Sequence, residues 1–448
     1  MRAERKGPRK MNVNVFDLGK MTASERRRLC RRGGLDLHDL MAQVAPLIED
    51  VRTRGDEAVR DLTERFDGAR MEGGSFRVLL GEMDRILAET LRGLREAMEV
   101  SISNIRAFHE RQLEPPSWEM EISPGIIAGE RVIPIRSVGL YVPRGKGSFP
   151  SMMMMAGIPA KVAGVERIVV VTPPDRSGRP DPATIAAARL IGLEEIYAVG
   201  GVQAIAALAF GTETIPRVDK IVGPGSGYVL AAKQILATEV DTGLPAGPSE
   251  SIILADDSVP ARTAVIDLLI EAEHGPDSSA YLVTTDRDLA NAALELIPRL
   301  VAALPEVRRS FCETVLSTSG GVMVAPDMEA AIDFVNEFAP EHLQILTREP
   351  EAVLDRIASA GEALLGPFTP GTLANYSIGP NAILPTSGFA RTASALGVRD
   401  FTRRMAYSRV SEQGFNELAP KTLVLAQYEG FAAHAAALTH RLNRHHGD

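Results

Sequence analysis

Apolar positions along the chain follow two spacings, and each spacing predicts a different element. Between residues 35 and 68, and again between 83 and 111, apolar residues recur every three or four positions, which predicts amphipathic helices. From residue 138 onward, short apolar runs such as VGLYV and IVVVT alternate with helical segments. Runs of this kind fit strands buried on both faces of a parallel sheet, and their alternation with helices predicts right-handed βαβ units.

These segments divide the chain into predicted regions. Residues 1–34 are basic and lack an apolar period, so we expect a flexible N-terminal segment. Residues 35–139 and 248–396 are assigned to one α/β domain that begins with helices, and residues 140–247 to a second, Rossmann-like domain. Residues 397–448 are assigned to a helical tail. The predicted fold class is therefore α/β, with two Rossmann-like parallel-sheet domains between helical ends.

The composition narrows the class of protein. The 448 residues are 45% apolar and 24% charged, as in soluble globular proteins. A net charge of −9 argues against nucleic acid or an anionic membrane as the main partner, and no apolar run is long enough to span a bilayer. The basic start lacks the apolar core of a signal peptide, and Cys30 and Cys312 cannot form a disulfide framework or a cysteine-based zinc site. We expect a cytoplasmic, multi-domain protein.

The stretch from residue 241 to 277 carries the first candidate chemistry. A Gly/Pro/Ser turn, AGPSE, runs into the apolar strand SIILA, and a helix follows whose end holds Glu271 and His274. Residues three apart share a face of a helix, so the carboxylate and the imidazole can face the same ligand. Gly275 and Pro276 end the helix there. The pair predicts a metal or substrate site; the alternative is a surface Glu–His pair without function.

Glycine-rich segments supply a second candidate site. The chain has no G-x-G-x-x-G motif, but Gly200-Gly201 and Gly223-Pro224-Gly225 each follow a predicted strand and precede a helix. Ligands of parallel sheets bind beyond the carboxyl ends of strands, where glycine lets a phosphate approach a helix N-terminus. The alternative is that these glycines only make tight turns. Residues 366–391 form a long loop dense in Gly, Pro, Asn and Ser, which is typical of a functional loop.

Longer motifs run through the chain in a fixed order. They read GLYVPRGKGSFPSMMMMAGIPAKVAGV, VGGVQAIAALAFGT, DKIVGPGSGYVLAAK, LPAGPSE, EAEHGPD, NEFAPEHLQI, GPFTPGTLANY with GPNAILPTSGFAR, and EGFAAHAAAL. Together they resemble the histidinol dehydrogenase family over nearly the whole chain. The resemblance implies an NAD-dependent, zinc-containing homodimer with one Zn²⁺ in each subunit. Its function would be in histidine biosynthesis, oxidising L-histidinol through a bound aldehyde to L-histidine in two successive hydride transfers.

The resemblance places the acid–base pair of the APEHL motif on Glu341 and His342. It implies that Glu341 activates water for attack on the aldehyde stage and that His342 takes the proton of the alcohol. Alcohol oxidation loses a proton with each hydride, and an imidazole and a pocketed carboxylate can serve as bases near neutral pH. The alternative is a helix-capping Glu–His step without a catalytic role.

The remaining site residues are also implied by the resemblance. The zinc ligands fall on Glu271, His274, Asn375 and His434. The contacts to NAD fall on Tyr141, Gln203 and Ser226. The substrate contacts fall on Ser249, Glu271, His274, His342, Asn375, Glu429 and His434. Because the family's C-terminal tail reaches into the partner subunit, Glu429 and His434 would complete the other chain's site. We interpret the remaining C-terminal histidines as surface residues: His440, His445 and His446.

The chain departs from the family pattern at the predicted site. Glu271 stands where the family has Gln, and Asn375 where it has Asp, so the formal charge of the ligand set is unchanged. Carboxylate and imidazole suit zinc, and an amide oxygen is a weaker donor, so a divalent metal is still expected. Ala382 replaces a histidine, Ser226 an asparagine and Arg144 a glycine. Loss of a polar ring at residue 382 changes the specificity that we expect.

Three functions remain open at this point. The first is an oxidoreductase that acts on histidinol. The second is a paralogous dehydrogenase with the same alcohol-to-acid chemistry on another small polar alcohol, such as a sulfonated propanediol, for whose anionic group Arg144 would be suited. The third, which the retained Glu341 and His342 disfavour, is a non-catalytic relative that binds a metal or a nucleotide.

Overall fold

The structure is a computed structural model that describes residues 11–32, 37–71, 75–144 and 147–443. The predictions made for residues 1–10 and 33–34, and for His445 and His446, lie outside these ranges. The chain divides into two compact units: unit 1 comprises residues 1–112 and 135–401, and unit 2 comprises residues 113–134 and 402–448. The predicted division of the α/β part into two domains stays a prediction.

The strands are β1 (Val15–Asp17), β2 (Ser117–Ser123), β3 (Ile126–Pro134), β4 (Ser137–Tyr141), β5 (Arg167–Thr172), β6 (Ile196–Ala198), β7 (Lys220–Val222), β8 (Glu250–Ala255), β9 (Ser279–Thr284), β10 (Gly321–Val324), β11 (His342–Leu346), β12 (Glu362–Leu365) and β13 (Thr402–Val410). The helices are α1 (Ala23–Cys30), α2 (Leu37–Arg54), α3 (Asp56–Asp67), α4 (Leu80–Glu89), α5 (Arg92–Glu110), α6 (Pro150–Val162), α7 (Pro182–Leu190), α8 (Gly201–Phe210), α9 (Gly227–Leu236), α10 (Ala261–Ala272), α11 (Arg287–Ala302), α12 (Glu306–Thr318), α13 (Met328–Phe338), α14 (Pro350–Leu354), α15 (Gly371–Tyr376), α16 (Glu412–Tyr428) and α17 (Ala432–Asn443).

Unit 1 contains two parallel sheets, one of six strands in the order β1-β10-β9-β8-β11-β12 and one of four in the order β6-β5-β4-β7. Successive residues of a strand point to opposite faces, and helices cover both. In β8, Ile253 packs into one apolar cluster and Ile252 into another. In β5, Val170 likewise packs into one apolar cluster and Val169 into another. The prediction of an α/β protein with buried parallel sheets is confirmed.

Unit 2 is an antiparallel sheet in the order β13-β3-β2 together with α16 and α17. The prediction that the tail from residue 397 is helical is wrong for residues 402–410, which form β13. All nine of these residues pair with β3, far earlier in the chain. The residues of β13 are mostly exposed and show no apolar alternation for a sequence pattern to detect. Strand β2 is exposed throughout but does alternate, with Trp118, Met120 and Ile122 at every second position, and that signal was overlooked.

The N-terminal segment also differs from its prediction. Strand β1 pairs in parallel with β10 as the edge of the six-stranded sheet. Helix α1 begins at a capping box, in which the hydroxyl of Thr22 accepts from the backbone N–H of Glu25 and the Glu25 carboxylate accepts from the backbone N–H of Thr22. The prediction of a flexible segment is therefore wrong for residues 11–32. No helix among the described residues has the length and apolarity needed to cross a membrane.

A buried hydrogen bond joins α10 to β11 in unit 1. Nε2 of Gln344 donates to Oδ2 of Asp267 at 2.7 Å. Asp267 lies one helical turn before Glu271, and Gln344 lies two residues after His342 on the same face of its strand. The bond therefore holds the predicted metal-binding helix against the predicted catalytic strand. Burial raises the pKa of Asp267 to about 6, against the opposing effect of the hydrogen bond from Gln344.

Replacing Asp267 by asparagine should change how stability depends on pH. Because the pKa of Asp267 is raised from 3.8 to about 6, its contribution to stability is complete below pH 4 and is lost as the pH rises through about 6. The amide that replaces the carboxyl group can still accept from Gln344 and does not ionise. From pH 4 to pH 7 we expect the free energy of unfolding of the wild type to fall by about 1–2 kcal/mol relative to Asp267→Asn.

Denaturant unfolding at a series of pH values measures this difference. The exposed Asp288 of α11 gives a matched control, because Asp288→Asn should run parallel to the wild type over the same pH range. Parallel profiles for Asp267→Asn and the wild type would contradict the buried pair described above.

Candidate functional site

The predicted catalytic pair lies at the amino end of β11. Glu341 immediately precedes the strand, His342 begins it, and their exposed fractions are 7% and 6%. Oε2 of Glu341 accepts a hydrogen bond of 2.9 Å from the backbone N–H of Glu250, the first residue of neighbouring β8. Nε2 of His342 lies 3.8 Å from Oε1 of Glu341 and 3.9 Å from Oε1 of Glu271. The site thus lies at the amino edge of the six-stranded sheet.

Three predicted metal ligands lie together at the end of α10. The prediction that the helix continues to Gly275 is wrong, because α10 ends at Ala272 and His274 lies just after its C-cap, Glu273. Glu271 is buried, and its Oε2 lies 2.5 Å from Nδ1 of His274. This contact is a close ion pair, and apart from it Oε2 of Glu271 has no hydrogen-bond partner among the described residues. Nδ2 of Asn375, on α15, donates to the other oxygen of Glu271 at 3.3 Å. The two residues that are exchanged relative to the family therefore contact each other.

The charges at this site shift the pKa values strongly. Burial would raise the pKa of Glu271, but the charges of His342 and His274 outweigh it and lower that pKa to about 2. Burial opposes protonation of His342, yet Glu271, Glu341 and Glu362 together raise its pKa to about 10. Burial raises the pKa of Glu341 well above the usual range. As these residues stand, His342 holds a proton and Glu271 is ionised near pH 7.

The donor types around Glu271 are a carboxylate, an imidazole and an amide. No group of three or more His, Cys, Asp or Glu side chains within the described ranges forms a metal site. The predicted ligand set is not expected to form such a group in unit 1. Of its three residues there, two are a carboxylate and an imidazole, and the third is the amide of Asn375. A buried carboxylate oxygen without a hydrogen-bond partner, beside an imidazole nitrogen, fits zinc.

Three charged residues extend the cluster and were missed by the sequence analysis. Oε1 of Glu362 lies 2.6 Å from Nδ1 of His342. Oε1 of Glu250 lies 2.5 Å from Nε of Arg32 and accepts from the backbone N–H of Ser387 at 2.8 Å. Burial raises the pKa of Glu250 to about 7, although Arg32 acts to lower it. Glu250 ends the LPAGPSE motif, which was a signal for it, whereas Glu362 and Arg32 lie outside the quoted motifs.

The predicted cofactor residues Tyr141 and Gln203 meet at the carboxyl edge of the four-stranded sheet. Tyr141 ends β4, and its hydroxyl accepts from the backbone N–H of Gly201 at 3.3 Å. Gln203 is 1% exposed, and both polar atoms of its amide are buried without a hydrogen-bond partner in the part of the chain that the structure describes. An unsatisfied buried amide is costly, so it fits a polar ligand such as the amide of a nicotinamide ring.

Two glycines at this edge need their lack of a side chain. Gly201 has a φ of +65°, and a Cβ there would lie 2.8 Å from Oε1 of Gln203. Gly223 has a φ of +121°, and a Cβ there would lie 2.0 Å from the carbonyl oxygen of Tyr141. Ser226 is the N-cap of α9, three residues further on, and is exposed. Both glycines are therefore required by the backbone conformation of the loops after β6 and β7.

The structure places the other residues that the sequence analysis singled out as follows. Ser249 immediately precedes β8, and its carbonyl accepts from the backbone N–H of Ser279 at 3.0 Å. Ala382 packs against an apolar cluster of unit 1. The guanidinium of Arg144 donates to the carbonyl of Arg179 at 2.9 Å and lies 3.7 Å from Asp175, so its charge has a partner in the loop after β5.

Glu429 and His434 belong to unit 2. Glu429 is the C-cap of α16, and His434 lies in the first turn of α17; both are exposed. The ring of Phe431 lies 5.1 Å from the ring of His434, centroid to centroid. His440, interpreted as a surface residue, is exposed on α17. The two predicted contributors to the partner's site thus lie on neighbouring helices at the end of the chain.

Two parallel sheets, one with a buried Glu–His pair and one with a glycine-lined edge and an unpartnered amide, are the arrangement of an α/β oxidoreductase. The sequence model of the family described as "Histidinol dehydrogenase" matches residues 30–442. The chain belongs to the histidinol dehydrogenase family, whose members are NAD-dependent oxidoreductases acting on CH–OH groups.

Individual relatives agree with this assignment over their whole length. The chain is 45% identical to a histidinol dehydrogenase of Synechocystis over 431 residues, covering 96% of this chain and 99% of the relative. It is 49% identical to a "histidinol dehydrogenase homolog" of Cereibacter sphaeroides over 433 residues, covering 96% and 98%. The crystal structure of histidinol dehydrogenase from Elizabethkingia anophelis superposes with a TM-score of 0.88 at 34% identity, covering 98% of this chain and 99% of that one.

Reversing the exchange at residues 271 and 375 tests whether the two side chains act as a pair. Asn375→Asp alone would place two carboxyl groups 3.3 Å apart and remove the donor. We expect that single variant to lower the free energy of unfolding by about 1–3 kcal/mol. Glu271→Gln together with Asn375→Asp restores a carboxylate–amide contact and should recover about half of that loss or more.

Denaturant unfolding of the two single variants and the double variant forms the thermodynamic cycle. The same two changes at exposed residues of separate helices, Glu351→Gln with Asn291→Asp, provide a control in which the effects should add. If the effects at residues 271 and 375 also add, the two side chains are not energetically coupled.

Proposed function

We propose that this chain is a zinc- and NAD-dependent histidinol dehydrogenase. It oxidises the primary alcohol of L-histidinol through a bound aldehyde to the carboxylate of L-histidine, with reduction of two NAD. One observation carries the proposal. The buried pair Glu341 and His342 faces Glu271, whose unpartnered oxygen lies beside His274.

Zinc would be held by Glu271, His274 and Asn375, and by His434 of a partner subunit. When bound there, it supplies a Lewis acid that polarises the alcohol oxygen of the substrate. Of all the nearby charges, Glu271 raises the pKa of His342 most. If Glu271 held a cation, less of its negative charge would act on His342, and Nε2 of His342 would be free to accept the hydroxyl proton.

Glu341 acts at the second oxidation. Its burial raises the pKa of the carboxyl group well above the usual range, which is the direction expected of a group that exchanges protons rather than one that holds a fixed charge. The backbone N–H of Glu250 holds one of its oxygens at 2.9 Å, so the other, which lies 3.8 Å from His342, faces the site. We assign to Glu341 the proton transfers that accompany the attack of water on the aldehyde.

NAD would bind along the carboxyl edge of the four-stranded sheet. The free amide of Gln203 and the hydroxyl of Tyr141 are the polar groups there, and Gly201 and Gly223 allow the cofactor to approach the backbone. Ser226, at the start of α9, would contact the phosphates through the helix N-terminus.

The homodimer is the remaining part of the proposal. Leu425, Tyr428 and Phe431 expose 63%, 91% and 53% of their surface around Glu429 and His434. Large apolar side chains clustered on one helical segment are typical of a protein–protein contact. In a dimer, this segment would bring Glu429 and His434 into the partner's site.

A second substrate is favoured by one observation. Ala382 offers no hydrogen bond at the position where the family has histidine, and it packs against an apolar cluster. Another small polar alcohol, such as a sulfonated propanediol, would then be oxidised by the same chemistry. The argument from Arg144 is weaker, because Asp175 already pairs with its charge. A non-catalytic relative would have no use for the buried pair Glu341 and His342.

NADH formation from L-histidinol tests the proposed reaction. The zinc-loaded protein should release two NADH for each L-histidinol consumed, and His342→Gln should lower kcat by about 10²- to 10⁴-fold. Glu351→Gln, an exposed change of the same kind, should leave kcat unchanged. No turnover while zinc and NAD are both bound would contradict histidinol as the substrate. A panel of anionic and neutral diols, with Ala382→His as the variant, would then test the second substrate.

Mixing two inactive variants tests whether sites are shared between subunits. Glu341→Gln damages a chain's own site, whereas His434→Ala damages the partner's. Random pairing makes about half of the dimers mixed, and each mixed dimer has one intact site, so about a quarter of the wild-type activity should return. Glu341→Gln mixed with His342→Gln is the control that should recover nothing. An equal lack of recovery in both mixtures would contradict the shared site.

A further inference from the structure

Glu362 holds His342 from the side opposite the predicted metal ligands. It begins β12, and the parallel register of β11 and β12 sets it directly opposite His342. Oε1 of Glu362 lies 2.6 Å from Nδ1 of His342, and the two side chains are 9% and 8% exposed. A carboxylate oxygen accepts hydrogen bonds, so Nδ1 of His342 is the nitrogen that carries the proton in this contact.

The contact with Glu362 determines which ring nitrogen of His342 is left to accept a proton. Nε2 is directed to the other side, 3.8 Å from Oε1 of Glu341 and 3.9 Å from Oε1 of Glu271. Both distances are too long for hydrogen bonds, so Nε2 faces the space between the two carboxyl groups. Without Glu362, the ring could rotate or place its single proton on Nε2, and either change would block proton acceptance there.

We propose that Glu362 is a positioning residue, which fixes the ring of His342 so that Nε2 faces the substrate hydroxyl during hydride transfer. The inference rests on the dehydrogenase function proposed above. In that step the O–H bond breaks and its proton goes to Nε2. The C–H bond breaks and its electron pair goes with the hydrogen to the oxidised nicotinamide ring, while the C=O bond forms. Glu362 gains no proton and stabilises the resulting imidazolium.

The fold does not require the side-chain contact. Backbone pairing from His342–Glu362 to Ile345–Leu365 holds β12 at the edge of the sheet. Glu362→Gln should therefore fold normally, and a loss of activity in it can be assigned to His342. The exposed Glu351 of α14 offers the matched control, Glu351→Gln.

Steady-state kinetics separate positioning from binding. For Glu362→Gln we expect kcat for alcohol oxidation to fall by about 10- to 100-fold, with KM for the alcohol and Kd for NAD within about twofold of wild type. Deuterium at the reacting carbon should then slow the variant more than the wild type. Glu362→Asp, which keeps the carboxylate on a shorter side chain, should recover part of the rate. A kcat within twofold of wild type in Glu362→Gln would overturn the proposal.

A spectroscopic readout distinguishes failure of this inference from failure of the proposed function. A hydrogen bond of 2.6 Å between an imidazole N–H and a carboxylate gives a proton resonance far downfield. It should be present in wild type and Glu351→Gln, and absent from Glu362→Gln and His342→Gln. A resonance unaffected by Glu362→Gln would overturn the contact. If the resonances follow the expected pattern but the protein oxidises no alcohol, the contact between Glu362 and His342 stands. Its role in hydride transfer and the proposed function are then both overturned.

Discussion

Buried negative charge at the amino end of β11 is the constraint on which the site depends. Four carboxyl groups meet there, from Glu250, Glu271, Glu341 and Glu362, and each side chain is less than a tenth exposed. Buried charges are tolerated when they are paired or hydrogen-bonded. His342 contacts three of these carboxyl groups, Arg32 pairs with Glu250, and His274 lies against Glu271. Among the described residues, Oε2 of Glu271 and Oε2 of Glu250 are the oxygens of these carboxyl groups that are buried without a hydrogen-bond partner, and only that of Glu271 lies beside an imidazole nitrogen, at 2.5 Å.

The two candidate sites of unit 1 lie at opposite ends of their parallel strands: one at the amino ends and the other at the carboxyl ends. The predicted acid–base and metal-ligating side chains gather where β8 and β11 begin, whereas the predicted cofactor residues gather where β4 and β6 end. The second arrangement follows the general rule for ligands of parallel sheets. The first departs from it, because α10 runs back along its sheet and delivers Glu271 to the amino edge. Asp267 and Gln344 hold the helix in that position.

The sequence patterns predicted the structural features that depend on residues close to one another in the chain. Continuous apolar runs were sufficient to predict buried parallel strands. The short spacing of Glu271 and His274 correctly predicted that their side chains meet, although the helix ends at Ala272 and His274 lies beyond it. The contact between His342 and Glu362 depends on the register of two strands joined by a crossover, which no local pattern contains. Strand β2 was missed although Trp118, Met120 and Ile122 alternate with polar residues, and β13 was missed because its mostly exposed residues show no such alternation. Arg32 was missed because its partner, Glu250, is more than 200 positions away.

The claim that Glu271 is arranged to hold a cation can be tested directly by anomalous diffraction at the zinc edge, using crystals grown from zinc-loaded protein. The account predicts a peak about 2 Å from Oε2 of Glu271 and from a ring nitrogen of His274. It also predicts that Asn375 and a histidine of a second chain complete the coordination. A zinc-loaded protein that oxidises its alcohol but shows no peak beside Glu271 would contradict it.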